Sequence, residues 1–259
     1  MQAAGPLPPG LAVIKVHDST RRALSRLAAA YRKTLEGTRI IAVAGSNGKT
    51  TTVRLIDAVL SRAMKGTASV KSFNNDIGVP LTILGARPGD GYLICEVGTN
   101  SPREIAKLAE VVNPDIAVIV SIGREHLEKL GSVMGVASEE ARGLEFVRPG
   151  GAGVYNADVP EIAAVIPALE RRPVALIGFG RGRAATVRVA HVSQDWGGVG
   201  FTLSDRAAFK LGMLGAHNAV NAAAAVAVDH HPLHRVEPPE QRDHRVHLPR
   251  RHQAADAGR

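Results

Sequence analysis

Ile40-Ile41-Ala42-Val43-Ala44-Gly45-Ser46-Asn47-Gly48-Lys49-Thr50-Thr51-Thr52 decides the fold. Its first five residues are apolar and rich in β-branched side chains, the composition of a strand covered on both faces. Gly45 and Gly48 bracket a turn, and Lys49 opens a helix. A strand that runs through a glycine turn into a helix aims backbone N–H groups and the positive helix end at one point, where a phosphate can sit. Lys49 is expected there to neutralise the β- and γ-phosphates of a nucleotide, and the Thr50 hydroxyl to ligate Mg²⁺. Gly45, Ser46, Asn47, Gly48 and Thr51 complete the cradle. The commoner phosphate loop has a glycine five positions before its Gly-Lys pair, where this chain has Val43. The match is to a shorter form, Gly-x-x-Gly-Lys-Thr-Thr. The bland alternative is a plain strand–turn–helix junction.

Outward from the loop, residues 39 to about 228 alternate short β-branched runs with amphipathic stretches. Strands are expected at Ile40–Ala44, Tyr92–Glu96, Ile116–Ser121, Gly153–Asn156 and Val174–Gly178, and helices at 49–63, 102–112, 133–147 and 217–228. The near-continuous apolar strands imply an α/β domain with a mostly parallel sheet and helices on both faces. A β-rich stretch from Ala185 to Leu214, with Gly197-Gly198 as its turn, predicts a small antiparallel flank.

The two ends differ from this centre. Residues 1–38 begin with a Pro/Gly-rich arm and a short apolar run from Leu11 to Val16. A helix follows, capped by Asp18 or Ser19, with Ala23, Leu24, Leu27, Ala28 and Tyr31 on one face. Residues 229–259 hold six of the ten His, six Arg and four Pro against five Asp and Glu. That segment has too few apolar positions to offset its ordering entropy, and disorder is expected. Its irregularly spaced His make a poor metal site. The change falls inside an Ala-rich helix, as a reading-frame shift in GC-rich DNA would produce.

Among 259 residues, 45% are apolar and 22% charged, which fits a globular chain that is expected to be cytoplasmic and monomeric. The single Cys95 excludes an internal disulfide framework, and its apolar surroundings suggest a buried strand thiol. No apolar run is long enough for a membrane span, and Met1 to Gly10 lacks the pattern of a secretory signal. The net charge of +8 is scattered and lacks interleaved aromatics, so no nucleic-acid partner is expected.

Four further segments carry chemistry. Ser72-Phe73-Asn74-Asn75-Asp76-Ile77-Gly78-Val79-Pro80-Leu81-Thr82 offers Asn74, Asn75 and Thr82 to a substrate, or else is an Asn-rich turn. Glu96-Val97-Gly98-Thr99-Asn100 ends a strand, where open α/β sheets place their ligands. A carboxylate there needs a partner, either a metal or an ion pair. Ile122-Gly123-Arg124-Glu125-His126-Leu127-Glu128-Lys129-Leu130-Gly131-Ser132 follows another strand. Leu214-Gly215-Ala216-His217-Asn218-Ala219-Val220-Asn221-Ala222-Ala223 opens a helix, with Asn218 and Asn221 on one face and able to reach a single base.

The short loop and these segments, in this order and spacing, resemble the Mur ligase family over about residues 39–228, its central ATPase domain. The Ser72–Thr82 segment resembles the MurF type in particular. The resemblance implies that Lys49, Glu96 and His126 are catalytic and that Thr50, Glu96 and His126 hold metal. It also places Asn218 and Asn221 near the adenine, with Tyr155-Asn156-Ala157-Asp158 as a turn near the nucleotide. The family's carbamylated Lys has no counterpart in Ser138-Glu139-Glu140-Ala141-Arg142, where Glu140 would supply a carboxylate to metal directly. The implied reaction adds D-alanyl-D-alanine to UDP-N-acetylmuramoyl-tripeptide through an acyl phosphate made from ATP. Two departures stand out: residues 1–38 retain only the end of the family's UDP-substrate domain, and residues 229–259 replace its C-terminal domain. The alternatives are a nucleotide-binding fragment without ligase activity and a folylpolyglutamate- or cyanophycin-type ligase.

Overall fold

The computed structural model describes residues 16–231, apart from Asp18, Asn100, 170–172 and 205–206. At its centre lies β1 (Arg39–Ala44), buried along its whole length. It pairs in parallel with β3 (Tyr92–Glu96) on one side and β4 (Ile116–Ile119) on the other. β2 (Gly66–Ala68) borders β3, and β5 (Ala152–Asn156) and β6 (Ala175–Gly180) extend the parallel sheet beyond β4. A flank of β7 (Val187–Asp195), β8 (Gly198–Leu203) and β9 (Ala208–Leu211) is antiparallel within itself. It joins the sheet through Phe179↔Val187 and Gly180↔Arg188, giving the order β2-β3-β1-β4-β5-β6-β7-β8-β9.

Because side chains alternate across a strand, this sheet has two cores. Ile41, Val43, Ile94, Ile116 and Val118 pack on one face with α2 (Lys49–Leu60) and α8 (His217–His230). Ile40, Ala42, Leu93, Cys95, Ala117 and Ile119 pack on the other. That second face carries α1 (Thr20–Arg32), α3 (Gly78–Gly85), α4 (Glu104–Val112), α6 (Val133–Glu145) and α7 (Pro160–Val165). The small buried side chains of α8, Ala219 and Ala222 to Ala225 among them, let it lie close to α2. α1 is fastened across the second core: Arg32 donates from Nε to Val112 O (3.0 Å) and from Nη2 to Asn113 O (2.5 Å). These carbonyls lie at the end of α4, where a helix lacks internal donors and favours a cation.

Every strand and helix expected between 39 and 228 is present, within about three residues at each end. The expected flank is present too, but its first turn is Trp196-Gly197 rather than Gly197-Gly198, because Gly198 pairs with Asp195 as the first residue of β8. The sequence did not announce β2, α3, α5 (Leu127–Leu130) or α7. α8 runs two residues past the expected boundary at 228. The apolar run before Val16, the alternative cap Asp18 and the tail beyond His231 lie outside the described residues. Among the described residues, no helix is long and apolar enough to cross a membrane.

Candidate nucleotide site

The chain leaves β1 toward α2 on one face and leaves the adjacent β4 toward α6 on the other, so a crevice opens where the two paths diverge. Residues 45–48 line it and are fixed to the segment after β4. The Ser46 N–H donates to Ser121 O (2.9 Å), and the Asn47 N–H donates to Ser121 Oγ (2.8 Å). The Ser121 hydroxyl returns a bond to Asn47 O (2.8 Å), and the Gly123 N–H donates to Ser46 Oγ (2.7 Å). The Gly45 N–H donates to Glu140 Oε2 on α6 (2.9 Å). Gly45 sits at φ +127°, and a Cβ there would stand 2.9 Å from Ser121 N and O, so only glycine fits. Gly48, at φ +84°, is the N-cap of α2 and no side chain caps the helix. The first internal bond is Thr52 N–H to Gly48 O (2.8 Å), so the N–H groups of Lys49, Thr50 and Thr51 are those a helix leaves over. Lys49 folds over the loop, donating from Nζ to Gly45 O (2.5 Å) and Ser46 O (3.0 Å).

Glu96 ends β3 beside the start of α2 and is 1% exposed. Its Oε2 accepts from Thr50 Oγ1 (2.7 Å) and its Oε1 from Asn74 Nδ2 (3.0 Å). The Glu96 N–H donates to Ser69 Oγ (2.9 Å), which lies 3.3 Å from Thr82 Oγ1. Thr82 itself donates to Gly78 O (2.9 Å). Asn75 Oδ1 accepts from the Ile77 and Gly78 N–H groups (3.1 and 2.9 Å) and so caps α3.

Asn74, Asn75, Lys49, Glu125, His126 and Glu140 face one cleft. Thr82 stands behind it, buried between α3 and the strands. His126 precedes α5 at φ +58°. Burial pushes the Glu140 carboxyl up to about 7, against the pull of Lys49 and the bond from Gly45. Thr50 thus meets Glu96 directly, and Glu140 meets the loop. Among the described residues, no three or more His, Cys, Asp or Glu gather tightly enough to hold a metal ion by themselves.

Behind the loop, Asn218 donates from Nδ2 to Leu214 O (2.7 Å), and Asn221 donates from Nδ2 to Asn218 Oδ1 (3.2 Å). Asn221 Oδ1 lies 3.2 Å from the place of a Cβ on Gly48. The pair therefore shares one face, as its spacing requires, with each amide nitrogen donating one hydrogen bond within the protein. Asn156 donates to Val120 O (2.9 Å), and Asp158 accepts from the Arg181 and Gly182 N–H groups (2.6 and 2.7 Å). Sequence reasoning missed Ser69 and Ser121. Each is an ordinary Ser after or at the end of a strand, and nothing in local spacing distinguishes it.

Comparison with known proteins agrees with this geometry. The chain is 35% identical over 223 residues to UDP-N-acetylmuramoyl-tripeptide–D-alanyl-D-alanine ligase of Bacillus subtilis strain 168, covering 86% of this chain and 47% of the relative. It thus spans about half the length of the curated relatives it matches. A crystal structure of MurF from Acinetobacter baumannii superposes with a TM-score of 0.79 at 29% identity, over 88% of this chain and 50% of that one. MurF ligase from Thermotoga maritima in complex with ADP shares the fold at a TM-score of 0.74 and 23% identity, over 86% of this chain and 52% of that one. A model of the Mur ligase middle domain matches residues 43–228, which takes in the crevice from the end of β1 to α8, and on that ground the chain belongs to the Mur ligase family.

Proposed function

We propose that this chain carries the ATP-binding centre of a peptidoglycan-precursor ligase of the MurF type. The observation that carries the reading is the contact of Thr50 with a fully buried Glu96 beside the uncapped start of α2. A hydroxyl and a buried carboxylate are hard oxygen donors, and Mg²⁺ takes few protein oxygens and keeps several waters, so Thr50 and Glu96 fit the ion. His126, across the same cleft, is proposed for a second ion. When bound, magnesium supplies charge neutralisation at the phosphates.

The protein's own part is positioning. The N–H groups of Lys49, Thr50 and Thr51 and the Lys49 ammonium receive the β- and γ-phosphates. Asn74 holds Glu96 in place, and Asn75 presents the start of α3 to the acceptor. Thr82 acts through Ser69 on the end of β3. Asn218 and Asn221 brace Gly48 from behind, on the side proposed for the adenine. The acceptor is UDP-N-acetylmuramoyl-tripeptide and the incoming amine is D-alanyl-D-alanine, as in the names of the relatives. The acceptor carboxylate takes the γ-phosphoryl group of ATP, and the amine then displaces phosphate. Residues 39–228 are proposed as the nucleotide-binding unit, 1–38 as the end of a preceding substrate domain and 229–259 as a separate tail.

The test supplies the 259-residue chain with ATP, magnesium and both substrates, and follows phosphate release and the new amide. ATP-dependent phosphate release is expected, with Lys49→Ala lowering turnover on the order of 10³-fold; a new amide would extend the reading from the nucleotide centre to ligation by this chain. Equal turnover in Lys49→Ala would refute the assigned role of the loop. ATP binding without any amide product would restrict the chain to nucleotide binding.

A further inference from the structure

We propose that Glu140 is a positioning residue for the phosphate loop: as acceptor for the Gly45 N–H, it sets the backbone from which Lys49 and the first turn of α2 meet a nucleotide. This rests on the nucleotide reading of the crevice. The carboxylate reaches the loop from α6, 95 residues away in sequence, and is 3% exposed, so its contact with Gly45 is a built one.

Gly45 has no side chain to fix its own conformation, and at φ +127° it relies on its neighbours. Glu140 holds its N–H, and Lys49 Nζ holds its carbonyl oxygen. A rotation of Gly45 therefore moves the Lys49 ammonium. The loop's donors divide into two sets. Those of Gly45, Ser46 and Asn47 are used by Glu140 and Ser121 to fix its shape. Those of Lys49 to Thr51 are left for an anion. Ser121 fixes two of the first three donors, and Glu140 is the acceptor for the third.

The neighbouring carboxylate shows what α6 does with the pair. Glu139, 5% exposed, accepts from the Ile105 N–H in the first turn of α4 (3.3 Å) and pairs with Arg142 Nε (3.3 Å). One turn of α6 therefore holds the starts of two different loop–helix junctions, after β1 and after β3. Glu139 bonds to Ile105 and Arg142 and not to the loop, which makes it the internal control.

The experiment measures ADP binding by calorimetry in EDTA, where loss of a metal ligand has no effect, to the full chain and to Glu140→Met, Glu140→Gln and Glu139→Ala. Glu140→Met keeps an unbranched side chain of similar length and removes the acceptor, and is expected to weaken ADP about tenfold. Glu140→Gln keeps an acceptor oxygen and should return affinity to within about threefold of the parent, and Glu139→Ala should leave it unchanged. Parental affinity in Glu140→Met would overturn the inference. So would equal weakening in all three variants, or a Glu140→Gln as weak as Glu140→Met. Amide hydrogen exchange at Gly45 in the unliganded chain decides the point even if the parent does not bind ADP, an outcome that would sink the nucleotide reading alone. Slow exchange in the parent and Glu140→Gln with fast exchange in Glu140→Met is expected, and equal protection in all three would contradict the inference.

Discussion

A carboxyl group held at about 7 inside a protein titrates in the range where enzymes are handled, and Glu140 is such a group. Its ordinary value is 4.5, so between 4.5 and about 7 the folded chain keeps a proton that the unfolded chain has released. The folded state binds more protons there, and stability falls as pH rises through that window. The shift corresponds to roughly 3 kcal/mol, fully present below the unfolded value and lost above the folded one. Glu140→Gln removes the titration. It is expected to melt several degrees above the parent at pH 8, with the difference closing by pH 5; melting curves at the two pH values check this, and a pH-independent difference would contradict it. Position 140 also shows where sequence reading stops at this scale. Two adjacent Glu residues on one helix are legible as a pair, but their separate partners, Ile105 and Gly45, are set by two other elements. Ser69 and Ser121 were illegible for the same reason. Lys49 and Thr50 were legible because the loop chemistry fixes their order along the chain, and Glu96 because a carboxylate ending an apolar strand needs a partner.

At the scale of elements, β1, β3 and β4 were readable because each is apolar on both faces, and β1 led straight into the loop. α3 was not readable. Its sequence GVPLTILG is apolar all round, opens with a Gly and a Pro in its first turn, and takes its cap from Asn75 outside the helix. β2 is three residues long and is defined by pairing with β3 alone. The junction of β1 with α2 makes one sharp prediction. Gly45→Ala puts a methyl group against the Ser121 backbone at a φ that L-residues rarely adopt. It should cost about 2–4 kcal/mol, seen as a lower urea midpoint, and should weaken ATP binding as well. An unchanged midpoint would mean the loop is looser than described. β3 makes another. Burial pushes the Cys95 thiol up to about 12 and closes it off from solvent. A thiol reagent at pH 8 should therefore leave the folded chain unlabelled and should modify Cys95 only as urea unfolds it; rapid labelling without denaturant would contradict the burial of β3.

Over the whole molecule, the sheet separates two cores, and the candidate site draws on both. The loop leads into α2 in the first core, braced by α8, while Glu140 reaches it from α6 in the second. Overall topology was legible in outline, since a row of parallel strands that begins with a phosphate loop allows few arrangements. Which residues converge on the crevice was legible only through the family's motifs, because convergence depends on where β4 lies beside β1. Binding of a magnesium nucleotide in the crevice is tested by calorimetric titration of the 259-residue chain with ATP and magnesium. One site per chain is expected, with affinity lowered roughly ten- to hundredfold in Lys49→Ala, the loss expected for one charge-assisted contact. No heat of binding in the folded parent, or equal affinity in Lys49→Ala, would contradict it.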